Sequence, residues 1–258
     1  MIELRNIYKA FNKGTVDEIN IFEDFNFKLD EGDFVSVIGS NGSGKSTLLN
    51  LISGSVYPDS GQVLKNGEDI SLLEEYKRSA SIMRIFQDPS LSGSPKLTIL
   101  ENLALYDSKA RNFSLRPAIK KNRLDEYKEM LSRLGMGLED RLHDKLASLS
   151  GGQRQALMLV LAKLSGDGVL LLDEHTAALD PKAAETVMGL TNQLIKELKL
   201  SVVMVTHNLK HALSYGNRLV MLHKGKYIYN TENHVGKLKM DEVLNKFYET
   251  SIEVGNSV

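Results

Sequence analysis

A glycine-rich turn between a strand pattern and a helical pattern constrains the fold of this chain more than any other feature. The turn reads Gly-Ser-Asn-Gly-Ser-Gly-Lys-Ser over residues 39–46, after an apolar run at 34–38 and before the helical pattern KSTLLNLI. This arrangement directs successive backbone N–H groups at an anion, and the start of the helix adds positive potential. The alternative is an ordinary glycine-rich turn, but chance produces this spacing on the order of once per hundred such chains. The sequence therefore predicts a phosphate-binding loop.

The side chains of this loop suit a polyphosphate and its metal ion. Lys45 supplies a mobile charge for the β- and γ-phosphates, Ser46 offers a hydroxyl to Mg²⁺, and Thr47 can bond a phosphate oxygen. The other residues predicted to contact the phosphates are Ser40, Asn41, Gly42, Ser43 and Gly44. Because the spacing is not G-x-G-x-x-G, a dinucleotide-binding fold is disfavoured.

Strand and helix patterns alternate along the chain. Residues 1–38 alternate apolar and polar positions between turn clusters, which predicts several short strands. Further strands are predicted at 62–70, 169–172, 201–205, 219–222 and 227–229. Helices are predicted at 99–134, at 152–164, from Pro181 onward and from Met240 to Phe247. This order indicates an α/β core that contains a helical insertion.

Two adjacent acids follow the apolar strand pattern at 169–172. Neighbouring side chains at a strand end point in different directions, so Asp173 suits a metal ion and Glu174 suits the water that attacks a phosphate. The alternative is an acidic turn that caps the next helix. The two acids indicate a hydrolytic site only in combination with the phosphate-binding loop.

A second glycine pair begins another helical pattern roughly a hundred residues after the first loop. Its predicted anion-binding residues are Ser150, Gly151, Gly152 and Gln153. An ordinary N-cap is the alternative. Since one nucleotide needs one cradle, the second motif is either redundant or serves a nucleotide held by another copy of the chain.

The set of motifs resembles the nucleotide-binding subunits of ATP-binding cassette (ABC) transporters, up to about residue 230. GSNGSGKST resembles the Walker A motif, VLLLDE the Walker B motif and LSGGQ the family signature. IFQDP resembles the Q-loop, Ala178-Leu179-Asp180 the D-loop, and MVTHN the segment with the switch histidine. Their shared order makes coincidence negligible.

The resemblance implies a role for individual residues. Glu174 corresponds to the general base, His207 to the residue that contacts the γ-phosphate, and Gln87 to the ligand that couples Mg²⁺ and water to subdomain movement. Asp173 corresponds to the metal-binding acid, and Asp180 to the D-loop acid near the nucleotide. Phe11 aligns with the aromatic residue that stacks on adenine, and its alternative is a place in the core.

The resemblance also implies an architecture. We expect a P-loop NTPase core with an N-terminal antiparallel β subdomain and an inserted all-helical subdomain. The expected boundaries are 1–87 and 166–232 for the core with the β subdomain, 88–165 for the helical signature subdomain, and 233–258 for a C-terminal helical extension.

The expected partners follow from the resemblance and from composition. Two copies would hold ATP between the Walker A motif of one and LSGGQ of the other. This pair would bind a transmembrane permease, to which an extracellular substrate-binding protein delivers the solute. The chain would lie peripherally on the cytoplasmic face of the plasma membrane. No window approaches the roughly 18 apolar residues of a membrane span. The formal net charge of −1 disfavours a nucleic-acid partner, and the absence of cysteine excludes thiolate metal sites.

The permease is expected to dock at the loop that follows Gln87. Residues 88–98 are rich in Ser, Gly and Pro, and in the family this region receives a cytoplasmic helix of the permease. Leu91 and Leu97 are the predicted contacts. The alternative is that both leucines anchor the loop to its own core.

Several functions remain open. The chain is similar to ATPases encoded beside a binding lipoprotein and a permease that import aromatic amino acids or related solutes. Lipid, lipoprotein or drug exporters and soluble ABC ATPases are the alternatives, and an inactive cassette is disfavoured because the catalytic residues are present. His175 and Gly166-Asp167-Gly168 depart from the family pattern, which usually has proline there. The other histidines outside the motifs are predicted to be surface or packing residues: His143, His211, His223 and His234.

Overall fold

The computed structural model describes residues 1–88, 93–109, 119, 121–164, 168–232 and 238–246. These residues form two compact units, Met1–Ser79 with Leu200–Val258 and Ala80–Lys199. Predictions that concern Leu91, the pair 166–167 and most of 233–258 lie outside the described residues. The domain boundaries given above stay a prediction.

The elements follow one another in three stretches of the chain. The first stretch contains β1 (Ile2–Phe11), β2 (Ile19–Leu29), β3 (Phe34–Gly39), α1 (Lys45–Ser53), β4 (Ser60–Lys65), β5 (Glu68–Asp69) and α2 (Glu75–Arg78). The middle stretch contains β6 (Ile82–Ile85), α3 (Ile99–Lys109), α4 (Leu124–Ser132), α5 (Gly151–Leu164), β7 (Val169–Asp173) and α6 (Pro181–Leu198). The last contains β8 (Ser201–Val205), α7 (Leu209–Ser214), β9 (Arg218–His223) and β10 (Lys226–Glu232), and residues 240–246 are helical.

An antiparallel sheet occupies one part of the first unit, with strand order β2-β1-β4-β5. The prediction of short strands was wrong here, because β1 and β2 run for 10 and 11 residues. Their polar interruptions are bulges: the register shifts between Leu4 and Ile7, and Asn6 and Asp24 adopt φ of 48° and 53°. A bulge absorbs the extra residue and lets pairing resume with the apolar face restored.

The other strands of the first unit are ordered β10-β9-β3-β8. β3 pairs in parallel with both β8 and β9. β9 and β10, which contain the strands predicted at 219–222 and 227–229, pair with each other as an antiparallel hairpin. Every residue of β3 is buried, as an apolar run between two neighbours requires. Because parallel strands end at the same edge of a sheet, the residues that follow β3, β8 and β9 lie at one edge.

The second unit combines a parallel strand pair with helices. β6 pairs with β7 in parallel, with Ile82 opposite Val169 and Ile85 opposite Leu172. The helix predicted from Pro181 is α6, and its residues Val187, Thr191 and Ile195, which share one face at helical spacing, are buried. The predicted helical region at 99–134 is divided, in its described part, into α3 and α4. The structure thus confirms an α/β fold with an antiparallel β part and a helical part.

Within the residues that the structure describes, no helix has the length and apolar character needed to cross a membrane.

Candidate active site

The phosphate-binding loop follows β3 and holds a lysine ammonium against its own backbone. Lys45 is 6% exposed, and its Nζ donates to the carbonyl oxygens of Gly39 and Ser40, both at 2.8 Å. α1 begins directly after Gly44, and among the described residues no side chain caps this N-terminus. The uncapped N–H groups and the ammonium make this turn a site for an anion.

Two positions in the loop require glycine. Gly39 has φ of 155°, and an added Cβ would lie 2.2 Å from the carbonyl oxygen of Leu222 on β9. Gly44 has φ of 101°, and its Cβ would lie 2.8 Å from the ring of Phe22 on β2. The turn can therefore pass between its neighbours only without side chains at these two positions.

The remaining loop residues differ in exposure. Asn41, Gly42 and Ser46 are exposed, Ser40 is half-buried, and Ser43, Gly44 and Thr47 are buried. The backbone amide of Ser43 donates to the carbonyl oxygen of Ser40 at 3.2 Å, which closes the turn. Ser46, the predicted metal ligand, is thus one of the exposed residues of the loop.

His207 lies at the same edge of the sheet as the loop. It follows β8, where the amide of Thr206 donates to the carbonyl oxygen of Val37 on β3 at 3.2 Å. Asn208 then caps α7 by accepting from the amide of His211 at 3.1 Å. His207 is exposed between these two fixed residues, which places it beside the end of the strand that carries the loop.

His223 also contacts the loop, which the sequence did not predict. Its Nδ1 lies 3.3 Å from Oγ of Ser40. Two residues further on, in the turn between β9 and β10, the amide of Gly225 donates to the carbonyl oxygen of Ser43 at 3.1 Å. His223 was predicted to be a surface or packing residue. The pairing of β9 with β3 brings it to the loop, and no local signal in the sequence indicates that pairing.

The two adjacent acids lie at the end of β7, in the second unit. Oδ2 of Asp173 accepts from Nη2 of Arg84 on β6 at 2.6 Å, and both side chains are mostly buried. Glu174 is half-buried and has φ of 48°, and its carbonyl oxygen accepts from the amide of Ala177 at 2.8 Å. The sequence indicated both acids but gave no sign of the arginine.

The turn after Glu174 is held by α6. His175, at the position usually occupied by proline, is 2% exposed, and its Nε2 lies 3.5 Å from Oγ1 of Thr191. Asp180 is exposed, and its Oδ1 accepts from the amide of Ala183 at 3.0 Å as the N-cap of α6. Both contacts fix the segment that runs from the acid pair into the helix.

Gln87 follows β6 and is exposed. The carbonyl oxygen of the preceding Phe86 accepts from Nε2 of Gln155 on α5 at 3.1 Å, and Gln155 is completely buried. This bond joins the start of the Q-loop to α5, the helix that begins within the LSGGQ motif.

The LSGGQ motif forms a capping box at the start of α5. Oγ of Ser150 accepts from the amide of Gln153 at 3.3 Å, and Oε1 of Gln153 accepts from the amide of Ser150 at 3.1 Å. A Cβ at Gly151 would lie 3.0 Å from the Leu179 side chain. Within one chain the N-cap alternative is therefore realised, with Ser150 exposed and Gly152 half-buried.

Phe11 ends β1 with its side chain exposed, so the alternative of a core residue was wrong. Nζ of Lys9 lies 5.3 Å from the ring centroid of Phe11. An exposed ring at a strand end is open to stacking.

Within the first unit, the structure brings together the loop, His207 and His223. Within the second, it brings Asp173 to Arg84 and joins the Q-loop to α5. A phosphate-binding loop, an acid pair at a strand end and an SGGQ helix start define an ATP-binding cassette.

The chain belongs to the ABC transporter family, whose family model matches residues 22–177. It is 43% identical over 248 residues to the tyrosine transport ATP-binding protein of Clostridioides difficile, covering 96% of this chain and 98% of that protein. It is 34% identical over 229 residues to the spermidine/putrescine import ATP-binding protein PotA of Haemophilus influenzae, covering 88% of this chain but only 56% of that protein.

A solved structure has the same fold. It is the dimeric structure of a post-hydrolysis state of an ATP-binding cassette bound to ADP and Pi, 31% identical, with a TM-score of 0.75. The match covers 90% of this chain and 98% of that chain. The chain is therefore an ATP-binding ABC ATPase.

Proposed function

We propose that this ATPase energises a membrane transporter that imports a small solute, with an aromatic amino acid such as tyrosine as the preferred cargo. The observation that supports this choice of cargo is the 43% sequence identity to a tyrosine transport ATP-binding protein over nearly its whole length. The motifs of the chain itself support ATP hydrolysis but not the cargo.

The residues of the first unit bind the nucleotide phosphates in this proposal. The loop amides and Lys45 hold the β- and γ-phosphates, and Lys45 exchanges its contacts with Gly39 and Ser40 for phosphate oxygens. His207 contacts the γ-phosphate from the end of β8, and Phe11 stacks on adenine. The pre-formed turn lowers the cost of ordering the loop when ATP binds.

Glu174 acts as the general base. Its carboxylate follows the strand that ends in Asp173, so it can accept the proton of a water that attacks the γ-phosphorus while Asp173 serves the metal ion. In balanced form, water adds to phosphorus, the bond to the β-phosphate oxygen breaks, and ADP and phosphate leave.

The predicted metal ligands fit Mg²⁺ by their chemistry. Ser46 and Asp173, with Gln87, offer hydroxyl, carboxylate and amide oxygens, which are the hard ligands that Mg²⁺ accepts. Asp173 already binds a cationic group, the guanidinium of Arg84. In the described part of the chain there is no cluster of three or more His, Cys, Asp or Glu that could hold a metal ion. Bound with ATP, Mg²⁺ supplies charge neutralisation at the phosphates.

A second copy of the chain completes the ATP site. The start of α5, where Ser150 is exposed and Gly151 to Gln153 are half-buried, would face the nucleotide held by the partner's loop, and Asp180 would lie beside it. The dimeric state of the related cassette supports this arrangement. Because the capping box uses the amides of Ser150 and Gln153, the partner's phosphate would bind at the remaining N–H groups of the helix start.

The transport path belongs to a permease. A substrate-binding protein outside the cell delivers the solute to this permease. We place the chain on the cytoplasmic face of the membrane, against this permease. The proposed docking loop includes Leu97, which is half-buried, and Ser94, whose amide donates to Oδ1 of Asn102 at 2.8 Å.

Transport by living cells tests the proposal. In cells of the source organism that lack the chromosomal gene, we expect wild type and Glu129→Gln to restore uptake of radiolabelled tyrosine, tryptophan or phenylalanine. We expect Glu174→Gln to fail. Glu129 is the matched control because it is an exposed acid on α4 that pairs with Arg133. Restored efflux would indicate an exporter, and unchanged transport of every solute would indicate a function away from the membrane.

A further inference from the structure

Arg84 contacts the acid that ends β7. β6 and β7 pair in parallel with Arg84 opposite Leu171, so Arg84 and Asp173, two residues further on, point to the same face of the sheet. Nη2 of Arg84 donates to Oδ2 of Asp173 at 2.6 Å, and the two side chains are 11% and 18% exposed. A charge-assisted bond of this length, mostly shielded from solvent, fixes both groups.

The guanidinium of Arg84 also contacts an aromatic ring. Its Cζ lies 4.7 Å from the ring centroid of Phe86, within the range of a cation–π contact. Phe86 in turn is bound through its carbonyl oxygen to the buried Gln155. Arg84 therefore presents its donor to Asp173 from a fixed position.

We propose that Arg84 is a positioning residue for Asp173: it holds Oδ2, fixes the orientation of the carboxylate and leaves Oδ1 to the nucleotide-bound metal ion. The inference rests on the proposed role of Asp173 as a magnesium ligand. A carboxylate has about four acceptor sites on its two oxygens, so one guanidinium does not exhaust it. Groups that hydrogen-bond to a metal ligand orient it, and their loss weakens metal binding about 10- to 100-fold.

Two other roles for Arg84 make different predictions. A merely structural ion pair would contribute to stability and leave the magnesium dependence unchanged. A competing cation would repel the metal ion across the shared carboxylate, so its removal would tighten magnesium binding. The sign of the change in magnesium dependence separates all three roles.

Equilibrium binding of a fluorescent ATP analogue to the full chain shows whether loss of Arg84 weakens or strengthens magnesium binding. For Arg84→Met we expect unchanged affinity in excess EDTA, because the phosphate-binding loop is intact. In a Mg²⁺ titration we expect the half-saturating concentration to rise about tenfold. Arg84→Lys keeps the charge but loses the planar fork, so we expect a rise of about threefold. If Arg84→Met does not fold, Arg84→Lys carries the test.

Arg123→Met is the matched control. Arg123 pairs with Asp107 at 2.9 Å, with side chains 19% and 11% exposed, and its Cζ lies 5.5 Å from the ring centroid of Tyr127. It therefore shares the burial, the ion pair and the aromatic contact of Arg84, away from the predicted site. We expect a lower melting temperature and an unchanged magnesium titration.

Asp173→Asn separates this inference from the proposed function. If Asp173→Asn leaves the magnesium titration unchanged, the assignment of Asp173 as a metal ligand fails. If Asp173→Asn weakens magnesium binding but both Arg84 variants titrate like wild type or bind magnesium more tightly, only the positioning role fails.

Discussion

Glu174 lies in a backbone conformation that few non-glycine residues adopt. Its φ is 48°, in the left-handed region, directly after the last residue of β7. The amide of Ala177 closes the turn on its carbonyl oxygen, and the buried His175 anchors the segment to α6. Such strain persists where the surroundings fix it, and here it sets the direction of the proposed base.

At the residue scale, replacing this carboxylate tests the base. Glu174→Gln keeps the shape but cannot accept a proton, so we expect turnover to fall about 100-fold or more while ATP affinity stays within about twofold. Steady-state phosphate release and equilibrium nucleotide binding measure the two quantities. Glu129→Gln should match wild type in both, and a Glu174→Gln variant with wild-type turnover would rule out the base.

Arg78 shows how one side chain can join several elements. It is 2% exposed and donates to carbonyl oxygens of Leu51 and Ile52 at the end of α1 and of Ile70, Ser71 and Leu73. Burial lowers the pKa of the guanidinium, yet arginine stays charged at neutral pH. Since α1 begins in the phosphate-binding loop, this cation at its carboxyl end helps to fix the helix.

At the element scale, we expect Arg78→Met to destabilise the fold. The buried carbonyl groups would lose their donors, which costs about 3 kcal/mol. For a chain of this size that lowers the melting temperature by roughly 6–12 °C. Thermal unfolding followed by circular dichroism measures it. Arg5→Met, which removes an exposed arginine paired with Glu3, should change little, and an equal shift in both variants would contradict the prediction.

At the scale of the whole molecule, we propose that the start of α5 binds the phosphate of a nucleotide held by a second copy and no phosphate of its own chain. The contacts of a nucleotide shared by two copies exist only while it is bound, so ATP should drive their association. Sedimentation of Glu174→Gln should therefore show a monomer without nucleotide and a dimer with ATP. Lys45→Ala in the same background should stay monomeric. A dimer in both conditions, or a monomer in both, would refute ATP-driven closure.

The sequence by itself determined the phosphate-binding loop and the elements beside it. The loop was predictable because its φ values at Gly39 and Gly44 and its approach to neighbouring strands demand glycine. The strands at 169–172 and 201–205 were predictable because an unbroken apolar run has to be buried. The helix from Pro181 was predictable because proline suits a helix start and the apolar stripe has helical spacing.

Only the tertiary structure decided which side chains support these motifs. Arg84 and Asp173 are 89 residues apart in the chain, and Ser40 and His223 are 183 apart. Each contact depends on which strand lies beside which and in what register, and a one-residue slip would turn the side chain to the other face. Local patterns determine that a segment is a strand, whereas its neighbours and register are set by how the whole chain packs.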